Sequence, residues 1–231
     1  MAVRPVFIPQ ADIQRPFREV PVSFQWHAGL ARSQKQKSIE SLHAAAKAAL
    51  NVDQLLEISS KSPLPAGVTL SAFNLPMSLP SGHKCSVEAA YQGSKVTAAG
   101  GPYHDIYGMT SLEAKQDTRL KGQVLTGFSF FGTNWPLRPA SLFYDWLYVT
   151  ALCQPHNASS LEQVLRFGGF TDIEFNPARQ VSCQARAAAI LCGLVHAGQT
   201  AVQLADGTYL SALLKGCYGD KTGGRQKALF E

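Results

Sequence analysis

Ten residues, Ser86–Lys95 (SVEAAYQGSK), constrain this chain most, because the two faces of one short helix ask for different surroundings. At about 100° per residue, Glu88, Tyr91, Gln92 and Lys95 fall within an arc of roughly 100°. The opposite face carries Ala89, Ala90, Gly93 and Val96, small enough for another element to approach closely. Surface helices usually turn apolar residues inward and leave the polar face to water. Two readings follow. Either the small face packs and the polar face forms an acid–base platform, or that polar face is solvated, with Glu and Lys two turns apart.

Composition narrows the class. A chain of 231 residues can bury a full core as one domain, and 45% hydrophobic with 16% charged residues describes a folded soluble protein. The formal charge of +5 suits a phosphate-rich ligand or nucleic acid without requiring either. Five cysteines without CxxC spacing argue against a disulfide framework and a structural zinc. His83 and Cys85 are too few ligands for a metal site, so neither metal nor cofactor is expected. No apolar run approaches the roughly 20 residues of a membrane span, and Met1–Pro9 lacks a signal-peptide plan. A cytoplasmic location is expected, which makes Asn157-Ala158-Ser159 a chance glycosylation sequon.

The chain reads as an α+β fold, mostly helical with a small β-sheet, in a single domain. Met1–Phe24, punctuated by Pro5, Pro9, Pro16 and Pro21, predicts edge strands. Ser38–Leu50 predicts a helix with Ile39, Leu42, Ala46 and Ala49 on one side. The loop 59–67 precedes a short strand near Val68–Phe73. Thr110 and Glu113 form a capping box that starts a helix running to about Lys121. Residues 123–131 predict a strand or an irregular segment. An aromatic helix follows over Pro139–Gln154 with Leu142, Trp146 and Val149 inward. A short helix near 159–167 leads to strand-like 171–175, and Ser182–His196 reads as a buried Ala-rich helix. Asp206-Gly207 predicts a hairpin over Gln199–Leu214, and a polar tail follows Tyr218.

Four motifs in order resemble the signature of the NADAR (YbiA-like) family: Leu70–Phe73 (LSAF), Gly82, SVEAAYQGSK, and Glu113–Lys115 (EAK) with Arg119. The flanks SQKQKSIESLH (33–43), EISSKS (57–62) and FTDIEFNP (170–177) resemble the subgroup of NADAR proteins paired with DarT-type toxins. The resemblance covers nearly the whole chain. It implies a NADAR-like domain in which residues 1–57 are a subgroup extension, 58–197 the core, and 198–231 a hairpin and tail. The subgroup's toxins attach ADP-ribose to DNA bases, and its NADAR members remove it from guanine.

With that resemblance, Glu88 becomes the candidate catalytic carboxylate, since a fixed carboxylate stabilises the cationic ribose centre of N-glycoside cleavage or positions water against it. The alternative is a structural ion pair. Lys95 has two readings: an ammonium donating to the leaving amine, or an amine attacking the opened sugar's C1 as a Schiff base. Tyr91 and Gln92 share its face as substrate-binding candidates. Lys115 and Arg119 stand at i, i+4, where Arg119 implies phosphate or ribose contact, or surface charge neutralised by Glu113 and Asp117. Trp135 implies a stacking platform for a base, or a core plug. Ser60 and Lys61 lie where the family's ligand loop approaches, with Ser62 beside them. Asn74 implies a ligand hydrogen bond or a turn cap, and Lys35 and Lys37 a basic patch for pyrophosphate or DNA backbone.

The C-terminal motif departs from the wider family. DIEFNP keeps Glu174 and Pro177, but Arg179 follows, the family's WG is missing, and CQARA (183–187) stands in its place. Asp172 or Glu174 is therefore expected to supply a second carboxylate, with Asn176, Gln184 and Arg186 facing the ligand, or with Arg186 simply ion-paired. The resulting expectation is an antitoxin ADP-ribosyl glycohydrolase acting on guanine bases in DNA. Its partners would be ADP-ribosylated DNA, the product ADP-ribose and a DarT-like ADP-ribosyltransferase toxin. Two alternatives are an N-glycosidase on small phosphorylated riboflavin-pathway aminopyrimidines and a non-catalytic binder of toxin or ADP-ribose.

Overall fold

Val6, Phe7 and Ile8 are all buried, so the first strand is covered on both faces. The computed structural model describes residues 1–178 and 180–218. In chain order these form β1 (Ala2–Pro9), β2 (Phe17–Phe24), α1 (Arg32–Leu50), β3 (Leu55–Glu57), α2 (Pro65–Thr69), β4 (Pro76–Ser78) and β5 (Lys84–Ser86). Next come α3 (Val87–Gly93), β6 (Lys95–Thr97), α4 (Ser111–Gln116), β7 (Leu125–Phe130), β8 (Thr133–Trp135) and α5 (Leu142–Leu152). The described chain ends with α6 (Ala158–Val164), β9 (Gly169–Thr171), α7 (Gln184–His196), α8 (Ala201–Ala205) and α9 (Gly207–Tyr218). This is an α+β fold dominated by helix. Its strands form three small sheets rather than one: β2-β1-β9-β3, β4-β5 and β6-β7-β8.

Alternation along β1 divides the core. Val6 and Ile8 join Val22, Phe24, Ile39, Leu42 and Ala46 under α1, while Phe7 faces the larger core of α5 and α7 with Phe170. The prolines led to an expectation of edge strands, and β2 is one, but β1 lies inside the sheet. Its prolines are tolerated there because β9 pairs with β1 only at Phe7–Phe170, between Pro5 and Pro9. Every residue of α5 is buried, which makes it the central helix of the larger core. The Tyr148 hydroxyl at its middle donates to the Leu70 carbonyl at 2.7 Å.

Four expected elements differ. The strand expected near Val68–Phe73 is instead the end of α2 (Pro65–Thr69), which starts within the expected loop with Pro65 in its first turn, and the turn that follows it. Residues 201–218 form α8 and α9, not a hairpin. A Thr200–Gln203 capping box starts α8, and the Asp206 carboxylate accepts from the Thr208 and Tyr209 amides at the head of α9. Leu204, Leu210 and Leu214 are then buried at helical spacing. The strand-like 171–175 is shifted: β9 spans 169–171 and Asp172 begins a loop. The helix from Thr110 keeps its capping box but stops at Gln116, where Asp117 caps a separate 3-10 turn, Thr118–Leu120. Arg179 and the tail 219–231 lie outside the described residues.

Candidate active site

The platform helix α3 begins at Ser86, whose hydroxyl accepts from the Ala89 amide at 3.1 Å. It ends at Gly93, where the Tyr107 ring lies against the backbone. A Cβ there would sit 2.6 Å from a Tyr107 ring carbon. Lys95 is consequently not on the helix. It opens β6, opposite Phe128 of β7. Glu88 and Gln92 are buried rather than solvated, and the Gln92 amide donates to Glu88 Oε1 at 2.8 Å.

These side chains line a cleft of about 710 Å³, within the range of small-ligand sites. Glu88, Tyr91 and Gln92 come from α3, Lys95 from β6, and Leu112, Lys115 and Gln116 from α4. The loop after β3 adds Ser59, Ser60 and Lys61, and the turn after α2 adds Ser71, Ala72 and Phe73. The loop after β9 contributes Asp172, Glu174 and Phe175, and the start of α7 contributes Gln184. Tyr144 reaches the cleft from the central helix.

The charges are distributed unevenly. Burial lowers the proton affinity of Lys95; the Glu88 charge opposes this and Lys115 adds to it. The Lys95 ammonium lies 5.2 Å above the Tyr91 ring, and Lys115 lies 5.0 Å above Phe73. Burial also raises the Tyr91 phenol to about 12, so it is a neutral hydroxyl bonded to Ser182 at 3.1 Å. Tyr144 is held neutral in the same way and feels the charges of both Glu88 and Asp172. Asp172 is buried at the cleft wall, its Oδ1 accepting from the Glu174 and Phe175 amides at 3.0 and 3.2 Å.

Of the candidates read from the sequence, the structure brings Glu88, Lys95, Ser60, Lys61, Tyr91, Gln92, Lys115, Asp172, Glu174 and Gln184 to this cleft. The others are placed elsewhere. Trp135 is buried among Phe143 and Trp146, at 5.5 and 4.8 Å between ring centroids, as part of the core. Arg119 follows the break after Gln116, so it does not share a helix face with Lys115. It pairs with Asp105 and Asp117 at 2.7 Å each and covers Tyr103. Arg186 is turned into the core against Asp145 at 3.2 Å, where the carboxylate more than offsets burial and holds the guanidinium charged. Asn74 is exposed, donates to the Val68 carbonyl and closes that turn. Asn176 accepts from the Ala178 amide within its own loop. Lys35 stands behind the cleft, pairing with Glu174 at 3.1 Å and covering Trp26, while Lys37 is exposed on α1.

Among the residues at or behind the cleft that were not singled out from the sequence, Tyr144 and Glu57 stand out. Tyr144 sits within an aromatic run that reads simply as core. Glu57 opens the EISSKS segment and is fully buried, accepting from the Thr171 hydroxyl and the Ile173 amide. Among the described residues no group of three or more His, Cys, Asp or Glu side chains can hold a metal ion, and no helix is long and apolar enough to cross a membrane. All five cysteines are free thiols.

The family model of the DarT1-associated NADAR antitoxins matches residues 2–222. The chain belongs to this family. The match spans every element that lines the cleft, including the β1–α1 segment behind Glu174 and the β9 loop where the wider NADAR pattern is lost. Membership of this NADAR-DarT1 family gives the protein an antitoxin role in a DarT system, and NADAR proteins are generally associated with hydrolysis of N-glycosidic bonds. No curated protein matches the chain.

Proposed function

We propose that this NADAR-DarT1 antitoxin is a hydrolase that removes ADP-ribose from the exocyclic amine of guanine in DNA, and so reverses a DarT-like ADP-ribosyltransferase. The observation that supports this reading is one cleft lined by both a buried carboxylate, Glu88, and a desolvated lysine, Lys95. Gln92 fixes the Glu88 carboxylate, which faces cationic character at the ribose C1 and takes a proton from the attacking group. Lys95, with its amine form favoured by burial, attacks C1 of the opened sugar and releases the guanine amine; water then clears the Schiff base. Lys61 and Lys115 supply positive charge for the pyrophosphate, and Phe73 offers the aromatic face that Trp135 does not.

The test is release of ADP-ribose from an oligonucleotide ADP-ribosylated on guanine, with E88Q and K95A compared with wild type. Release by wild type, loss of at least about 100-fold in E88Q, and borohydride trapping that requires Lys95 are expected. Folded wild type that releases nothing would overturn this reading. Activity would then be sought on small phosphorylated aminopyrimidine glycosides, and protection of toxin-expressing cells by E88Q would point to a binding role.

A further inference from the structure

The backbone of the motif Leu70–Phe73 is held from four helices. The Tyr148 hydroxyl of α5 donates to the Leu70 carbonyl at 2.7 Å, and the Ser111 hydroxyl of α4 donates to the Phe73 carbonyl at 2.6 Å. Between them, the Ala72 carbonyl accepts from the Glu88 amide of α3 at 2.9 Å. The Ala72 amide donates to Gln184 Oε1, on the first residue of α7, at 2.7 Å.

Gln184 reaches a second cleft wall with the other end of its side chain. Its Nε2 donates at 2.6 Å to the carbonyl of Ile58, which precedes the cleft-lining residues Ser59, Ser60 and Lys61. The Ile58 amide in turn donates to the Thr171 carbonyl at 2.8 Å, just before the cleft-wall residue Asp172. The Ile58 carbonyl and the Ala72 amide lie beyond the ends of β3 and α2, so neither belongs to a regular element that would satisfy it. The base from which Gln184 extends is firm, since Ala185 and every residue from Ala187 to Leu194 are buried.

This bridge needs an amide. One end must donate to a carbonyl and the other must accept from an N–H, and glutamine is long enough to do both at once. The sequence reading turned Gln184 toward the ligand, but its head group is engaged with protein backbone at both ends. We propose that Gln184 is a positioning residue that fixes the Ser59–Lys61 loop against the Leu70–Phe73 turn holding the Glu88 amide, and so sets the span between the pyrophosphate end and the reacting end of the cleft. That the spanning ligand is ADP-ribose rests on the glycohydrolase reading; the bridge between the two walls does not.

The arrangement separates two ways in which a glutamine can matter. A side chain that touches the ligand loses its contribution whatever stands at Lys61. A side chain that acts by aiming the loop loses its contribution once the loop carries no charge to aim. The two residues are then coupled, and a double-mutant cycle reads the coupling.

Q184M keeps the length of the side chain and removes both hydrogen bonds. Without ligand, hydrogen exchange at the Ala72 amide should quicken at least about tenfold in Q184M, while the Leu191 amide inside α7 should exchange as in wild type. By calorimetry, Q184M should bind ADP-ribose at least about fivefold more weakly than wild type, the effect of losing one ordinary hydrogen bond. In the K61A background the same substitution should cost less than about twofold. Unchanged Ala72 exchange in folded Q184M would overturn the proposal. So would wild-type affinity in Q184M, or an equal loss in both backgrounds, which would return Gln184 to direct ligand contact. If wild type binds no ADP-ribose, the glycohydrolase reading falls with the assignment of the ligand, and Ala72 exchange still decides whether Gln184 ties the two walls together.

Discussion

Replacing Arg186 by leucine separates a structural cation from a ligand-binding one. Its guanidinium reaches Asp145 at 3.2 Å, with side-chain exposures of 13% and 0% for the two partners. Tyr218 also donates to Asp145, and Ser141 donates to the Tyr218 hydroxyl at 3.2 Å. Leucine leaves the Asp145 charge buried with neutral donors alone, a loss of about 3–5 kcal/mol for a broken buried pair. At roughly 2–4 °C per kcal/mol for a domain of this size, melting should fall by roughly 6–20 °C. The double variant D145L/R186M, which removes both charges, should melt above R186L, because two well-packed apolar groups do not strand a charge. The loss in R186L should also shrink in acid. An unpaired buried carboxyl binds its proton more tightly folded than unfolded, so the penalty is absent at low pH and grows as pH rises. Thermal and urea unfolding give these values, and calorimetry with ADP-ribose should find affinity of folded R186L within about threefold of wild type. Melting shifted by less than about 2 °C together with a tenfold loss of affinity would refute the reasoning and return Arg186 to the ligand.

Two further outcomes follow from packing and protonation. In G193A the new Cβ would lie 1.8 Å from the Pro16 carbonyl oxygen and 2.7 Å from that of Gln10, and these backbone atoms cannot step aside. A loss of at least about 1–3 kcal/mol is expected in urea unfolding, and wild-type stability would show that α7 does not press on this loop so closely. For His43, the folded value of about 4 lies below the unfolded 6.5, so the unfolded chain takes up the proton first as pH falls. At about 1.4 kcal/mol per pH unit, wild type should lose at most about 3 kcal/mol more than H43Q between pH 7 and pH 4, and parallel stability curves would refute this.

What the sequence displayed, and what it hid, follows from the range of each interaction. The spacing of Glu88, Tyr91 and Gln92 placed them on one face correctly, because helical geometry is local. Lys95 reached the same cleft by another route. The helix ends at Gly93, where Tyr107 packs on the backbone, and pairing with β7 then sets the lysine. The Thr110 capping box was legible for the same local reason, whereas the break at Gln116 that separates Arg119 from Lys115 was not. Asp206-Gly207 illustrates an ambiguous signal. The pair serves a two-residue turn or a helix start equally well, and only the buried leucines at 204, 210 and 214 distinguish them.

Residue type alone gave no ranking among the charged candidates. Arg119, Arg186, Lys35 and Lys115 are all cations near motif positions, yet three of them are paired with carboxylates and only Lys115 lines the cleft. What decides each case is a partner far away in sequence: Asp145 lies 41 residues before Arg186. The same limit hid Glu57. Its role arises from Thr171, 114 residues later, and through it from His43, so no periodic pattern or short motif registers it. A motif places the groups that meet a ligand, because those must lie at fixed spacings on one element. The groups that set protonation arrive from other layers of the fold. Two of the cleft's carboxylates, Glu88 sharing it with Lys95 and Asp172 within the field of Glu57 and Glu174, look alike in sequence and differ through neighbours that only the packed sheet brings together.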